Sequence, residues 1–134
     1  MPRVKEFTVT IEDKPGALGR CFLALAEAGV NILGFQSFVE EGESLARMIV
    51  DKNDEAKATL GKLRMIFEVT EAAAVHVGNR PGALGRAAAA LGEARVNIDY
   101  SYCGVEPGSG QVILVFGVDN LTKASQALDT LTFD

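Results

Sequence analysis

A shift of 66 positions lays the chain on itself. Residues 13–33, DKPGALGRCFLALAEAGVNIL, then align with residues 79–99, NRPGALGRAAAALGEARVNID, and 13 of these 21 positions are identical. Two further pairs, Asp13 with Asn79 and Lys14 with Arg80, are chemically close. A period of half the chain means two copies of one supersecondary unit and excludes a solenoid, which stacks many short repeats. Whatever one half folds into, the other must fold into as well. The boundary falls at 71/72, giving modules 1–71 and 72–134.

Each copy carries the same order of patterns. VKEFTVTIE (4–12) sets Phe7, Val9 and Ile11 against Lys5, Thr8 and Thr10, the alternation of a strand with one core face. PGALGRCFLALAEAG (15–29) follows, with Leu18, Phe22 and Leu25 on one helical stripe, Pro15 in the first turn and Gly29 as a left-handed stop. NILGFQSFV (31–39) and SLARMIV (44–50) read as strands around the polar turn EEGE. NDEAKATLGKL (53–63) begins with capping residues and reads as a helix, and RMIFEV (64–69) as a strand. Copy two repeats the order with AAAVHV (72–77), PGALGRAAAALGEA (81–94), NIDYSYCGV (97–105), QVILVFGV (111–118) and NLTKASQAL (120–128). Its last strand should lie near 130–137, but the sequence stops at Asp134, so that sheet edge is short or is completed by another chain.

The expected fold class is therefore α+β: two ferredoxin-like βαββαβ modules, each an antiparallel sheet with both helices on one face. The run VILVFGV (112–118) is almost wholly apolar, so both its faces should be covered. The sheets should associate edge to edge, face to face, or with a second chain, which makes a homodimer or other homo-oligomer an expected partner.

Composition removes several function classes. The net charge is −5, which disfavours nucleic acid and anionic membrane surfaces, because both need clustered Lys and Arg. The N-terminal MPRVKEFTVTIED has no signal-peptide apolar region, and no apolar run approaches the roughly 18 residues of a membrane span. Cys21 and Cys103 have no motif spacing and fit a reducing cytoplasm better than a disulfide framework. His, Cys and Asp show no ligand spacing for a metal, and PGSG (107–110) lacks the strand–loop–Lys context of a phosphate loop, so neither metal nor cofactor is expected. The GxxG strings at 16–19 and 82–85 open helices and lack the basic surroundings of a nucleic-acid clamp.

The duplicated loop has chemistry of its own. A strand ends, polar residues and a proline follow, and a helix starts at once. First-turn amides have no partner within their helix and carry partial positive charge, which suits a carboxylate or phosphate. Gly16 and Gly82 let a ligand approach the backbone. The structural alternative is that the glycine only admits close packing and that Asp13 caps the amides itself. The second repeated string, VNI, places Asn31 and Asn97 at the entry to the second strand, where an amide side chain can hold an ammonium or a carboxylate, or simply satisfy loop backbone.

The βαββαβ order together with DKPGAL…AGVNI and NRPGAL…ARVNI resembles the ACT domain, a small regulatory module that commonly binds amino acids. The resemblance covers nearly the whole chain except the shortened C-terminus. It implies a ligand held between adjacent modules, near the first strand–helix loop and the start of the second strand. By position, Asp13, Lys14, Gly16, Ala17 and Leu18 would line one site with Asn31 and Ile32. Asn79, Arg80, Gly82, Ala83 and Leu84 would line the other with Asn97 and Ile98, and Asp99 is an added candidate for an ammonium. The implied function is a non-enzymatic sensor of a small amino acid, acting on a partner such as a metabolic enzyme; the alternative is a regulatory subunit that docks on a metabolic enzyme mainly through protein contacts.

The two sites should differ. Asp13 is charged where Asn79 is not, and Leu33 and Phe35 correspond to Asp99 and Ser101. One site should bind more tightly than the other. No catalytic set is visible: His76, the one histidine, lies in the apolar strand AAAVHV, and no carboxylate or cysteine is near it in sequence. Arg20 and Arg86 fall about 200° around the helix from Leu18 and Leu84 and should be solvated.

Overall fold

Phe7, Val9 and Ile11 are buried and alternate with the half-exposed Thr8 and Thr10, the signature of a strand with one face on a core. The structure is a computed structural model that describes residues 2–131. Ten elements follow in order: β1 (Arg3–Ile11), α1 (Ala17–Glu27), β2 (Ile32–Glu40), β3 (Glu43–Val50), α2 (Asn53–Lys62), β4 (Phe67–Gly78), α3 (Ala83–Glu93), β5 (Ile98–Val105), β6 (Gln111–Val118) and α4 (Leu121–Asp129). The chain divides into two compact units. The first is Lys5–Thr70, and in the second the chain up to Val4 joins the chain from Glu71 onward.

In the first unit β3 pairs antiparallel with β1 on one side (Val9 opposite Ala46) and with β2 on the other (Ser37 opposite Ala46). The Thr10 N–H donates to Ile66 O at 2.9 Å, so the chain entering β4 lies on the far side of β1. Helices α1 and α2 close over one face. Leu25, Ala56 and Leu60 meet Phe7, Val9 and Met48 in a single buried cluster.

Helix α1 sits on its sheet differently from the expected stripe. The deepest row of α1 is Ala17, Cys21 and Leu25, while Leu18 and Phe22 are only partly buried. The small Ala17 and Cys21 let the helix axis approach the sheet, and the larger Leu18 and Phe22 flank the contact. Phe22 then meets the half-exposed Phe35 edge-on, with ring centroids 5.3 Å apart. Copy two repeats this with Ala83, Ala87 and Leu91 buried and Leu84 56% exposed.

In the second unit β6 lies between β4 (Val75 opposite Leu114) and β5 (Tyr102 opposite Val115), and α3 and α4 cover one face. Ile113 to Phe116 are all buried, so β6 is covered on both faces as its composition requires. The strand expected near 130–137 is not found in the described part: Thr130 caps α4, Leu131 is irregular, and 132–134 lie outside the described residues. Instead the Ala74 N–H donates to Pro2 O at 3.0 Å. Arg3 Nε donates to Ser125 Oγ of α4 at 3.0 Å, and its guanidinium stands 3.9 Å from Glu71. The start of β1 thus meets the β4 edge that the repeat leaves open.

A second difference concerns β4. The strands expected at 64–69 and 72–77 form one strand, Phe67–Gly78, which passes from one compact unit into the other. The segment FEVTEAAAVHV contains no Gly, Pro, Asn or Asp to turn the chain between the copies.

Helix ends follow local chemistry, with two exceptions. Gly29 (φ 81°) ends α1 in a left-handed stop, with Val30 N–H on Leu25 O at 3.0 Å. Copy two makes the same turn with Arg95 at φ 60° and Val96 N–H on Leu91 O at 2.9 Å. Asn120 Oδ1 caps α4 through Lys123 N–H. The start of α2 departs from expectation: Lys52 is the N-cap and no side chain caps it, so Asp54 and Glu55 in the first turn act only on the dipole.

Candidate functional site

The two β–α loops share one backbone path. Lys14 N–H bonds Glu12 O at 2.9 Å, Ala17 N–H bonds Lys14 O at 3.3 Å, and Gly16 is the N-cap of α1 at φ 86°. In copy two Arg80 N–H bonds Gly78 O at 3.0 Å, Ala83 N–H bonds Arg80 O at 3.3 Å, and Gly82 is the N-cap of α3 at φ 91°. Pro15 therefore precedes the helix rather than opening it, and the left-handed glycine makes the turn that Cβ-bearing residues disfavour. No side chain caps either helix, so Asp13 and Asn79 leave the first-turn amides to solvent or a ligand.

Charges around the first loop are partly committed. Lys14 Nζ lies 2.8 Å from Glu12 Oε2, and that hydrogen bond and charge hold the Glu12 carboxyl below the usual carboxylate range. Arg20, one turn along α1, folds back: its Nη1 would stand 3.0 Å from a Cβ placed on Gly16. Among the described residues Arg20 has no carboxylate partner, and its charge reaches Glu12 only at longer range.

Each loop borders a cavity within its own unit. A groove of about 240 Å³ in the first unit is lined by Ile11, Ala17, Cys21, Leu63 and Met65, with Glu12 and Arg20 at its rim. A smaller one of about 180 Å³ in the second unit brings Asn79, Arg80, Ala83 and Leu84 together with Cys103 and Leu114. Burial pushes the Cys21 thiol up, while Cys103 is exposed.

Asn31 and Asn97 stand elsewhere. The Asn31 N–H donates to Asp51 Oδ1 at 2.8 Å, and the Asp51 N–H returns a bond to Asn31 O at 3.1 Å. Asn97 and Asp119 repeat the pair at 3.0 and 3.2 Å, and Asn97 Nδ2 donates to Asp99 Oδ1 at 3.0 Å. The register puts this clamp at the opposite end of its sheet from the loop: Ile11 is opposite Ser44, whereas Ile32 is opposite Val50. Six strand residues are about 20 Å. Within one unit, therefore, Asp13, Lys14, Gly16, Ala17 and Leu18 do not share a ligand-sized space with Asn31 and Ile32. The same separation keeps Asn97, Ile98 and Asp99 from Gly82 and its neighbours. A register shift follows each clamp, leaving Leu33 and Asp99 as the extra residues of a bulge.

Several of these residues were not among the expected site residues. Asp51 and Asp119 had a signal, the string VD repeated after the third strand of each copy. Arg20 was also legible, because helix geometry sets residue i+4 over the N-cap. Leu63 and Met65 had none, since nothing local ties them to a loop so far back in the chain. His76 gains a partner that sequence distance hid: Glu106 Oε2 is 2.7 Å from its Nε2. No three His, Cys, Asp or Glu side chains cluster for a metal among the described residues, and no described helix is long and apolar enough to cross a membrane.

A family model described as an ACT domain pair matches residues 2–133. A search of curated proteins found no match. The protein BT0572 from Bacteroides thetaiotaomicron is similar in structure, with a TM-score of 0.81 at 23% identity, over 96% of this chain and 88% of that one. So is the ligand-free regulatory subunit of aspartate kinase from Thermus thermophilus, at TM-score 0.61 and 19% identity, over 96% and 91%. A structure of aspartokinase alpha and beta subunits gives 0.59 at 15% identity, over 95% and 90%. At these identities the likenesses speak to fold.

Proposed function

The chain belongs to the ACT domain pair family, and from that premise we propose that it is a non-catalytic regulatory protein that senses a small amino acid at its duplicated β–α loops. Its sequence copies are residues 1–71 and 72–134. The observation that carries the reading is the matched pair of uncapped helix starts behind the left-handed Gly16 and Gly82. The amino-acid carboxylate lies on the first-turn amides of α1 or α3, and Asp13 or Asn79 beside the loop offers an oxygen to the ammonium. Asn31 and Asn97, with their aspartate partners, hold the far end of each sheet. Ligand acts on the protein only through a difference in affinity between two of its states. The differing loop charges make one site tighter than the other.

A thermal-shift screen of the full chain against the twenty amino acids tests this. Ligand at a hundred times its Kd adds about 2.7 kcal/mol, on the order of 8–15 °C for a chain of this size. Gly16→Val and Gly82→Val, made separately, assign a response to a loop. Indifference of the melting temperature to every amino acid at 10 mM would sink the proposal.

A second reading is favoured by the likeness to a regulatory subunit of aspartate kinase. On that reading the protein docks on a metabolic enzyme mainly through protein contacts. Co-purification of a stoichiometric enzyme without any amino-acid response would select it.

A further inference from the structure

The first loop carries a feature that the repeat does not explain. Beside it lies a groove whose floor is Ile11, Ala17 and Cys21, each under a tenth exposed, and whose wall is Leu63 and Met65. Leu63 is 48% exposed, so this apolar wall opens to water. The volume, about 240 Å³, is room for roughly eight waters at about 30 Å³ each, or for an organic molecule of similar heavy-atom count.

The rim has one available charge. Glu12 is paired with Lys14 through Oε2 at 2.8 Å, which offsets its charge on the rim. Arg20 is on the same rim with no carboxylate partner among the described residues. A guanidinium beside an apolar trough selects a carboxylate with a hydrocarbon body. The guanidinium itself only donates, so it adds nothing for an ammonium. We propose that this groove binds a small aliphatic monocarboxylate of four to six carbons, its carboxylate on Arg20 and its hydrocarbon chain against Ile11, Cys21, Leu63 and Met65. The inference rests on reading the first loop as a ligand site, and it names the ligand class that the groove beside that loop takes.

Isothermal titration calorimetry on the full chain tests it with 4-methylpentanoate, 4-methyl-2-oxopentanoate, leucine and the uncharged 4-methylpentan-1-ol. Both acids should bind and the alcohol should not. Arg20→Gln should weaken the acids about tenfold or more, as expected for loss of a charge-assisted hydrogen bond, and Arg20→Lys should weaken them less. Leu63→Glu, at an exposed position that tolerates the change, should also abolish binding. Arg86→Gln in copy two should leave it unchanged. Melting curves confirm that each variant folds. Silence from both acids at 10 mM, or equal affinity in Arg20→Gln, overturns the inference. Leucine bound in a Gly16-dependent way without either acid would leave the sensor reading standing and remove this one. The acids bound through Arg20 with no amino acid bound at all would do the reverse.

Discussion

Asn97 and Asp119 hold each other by two hydrogen bonds, backbone N–H to Oδ1 at 3.0 Å and backbone N–H to O at 3.2 Å. The contact joins the start of β5 to the end of β6, as Asn31 and Asp51 join β2 to β3. Replacing the aspartate by Ala leaves a backbone N–H without its acceptor. Asp51→Ala and Asp119→Ala should each lose about 1–2 kcal/mol in urea unfolding. Asp119→Asn, which keeps the acceptor oxygen, should lose less. If either alanine variant instead removes a ligand response while its stability is unchanged, the structural role assigned to the clamp fails.

Arg95 occupies the left-handed position that Gly29 fills in copy one, at φ 60°. A side chain there is strained, so Arg95→Gly should stabilise the chain by about 0.5–1 kcal/mol. The melting temperature should rise by about 2–5 °C. Gly29→Ala should move it the other way by a similar amount. A fall in melting temperature for Arg95→Gly would mean that the arginine side chain makes a contact worth more than the strain.

Gly117 lies opposite Tyr100 in the β5–β6 pair, and the Tyr100 ring covers the place where a Cβ would go. Tyr100 also stacks on Tyr102, with rings 6.4 Å apart and 8° from parallel. Gly117→Ala must displace a ring that also stacks on Tyr102 and should cost about 1–3 kcal/mol. Combining it with Tyr100→Ala, which vacates the space, should make the extra cost of the alanine disappear. A double-mutant cycle measures that coupling.

The two thiols should react in sequence. Cys103 is exposed and Cys21 is buried, with its ionisation pushed upward by burial. Maleimide labelling of the native chain at neutral pH should stop at one site, identified as Cys103 by mass spectrometry, and the second should appear only in denaturant. Because the folded value of Cys21 lies above the unfolded one, its contribution is fully present below about pH 8.5 and is lost as pH rises through the folded value. The stability difference between the wild type and Cys21→Ala should therefore narrow as pH rises above about 8.5.

Much of the fold could be read locally. Alternation placed β1, a continuous apolar run placed β6, and Gly29 marked the end of α1. These signals act within a turn or a strand, so a window of a few residues contains them. The helix stripe was misjudged because hydrophobicity ranks Leu18 and Phe22 above Ala17 and Cys21, whereas close packing on a sheet rewards small side chains. The site was legible as a loop but not as a cavity. Gly16 and Gly82 appear in the repeat, while the wall formed by Leu63 and Met65 comes from the far side of α2.

The sequence by itself determined that the chain is a duplication, that each copy runs βαββαβ until the last strand of copy two, and that each first helix starts at a repeated Pro-Gly. Periodicity and φ preference are properties of neighbours in the chain. Only the tertiary structure decided that Pro2 meets Ala74, that Asn97 is clamped by an aspartate 22 residues away, that loop and asparagine occupy opposite ends of one sheet, and that Arg20 overlooks an apolar groove. Those are contacts between distant segments, and strand register and helix packing set them after local propensity has done its part.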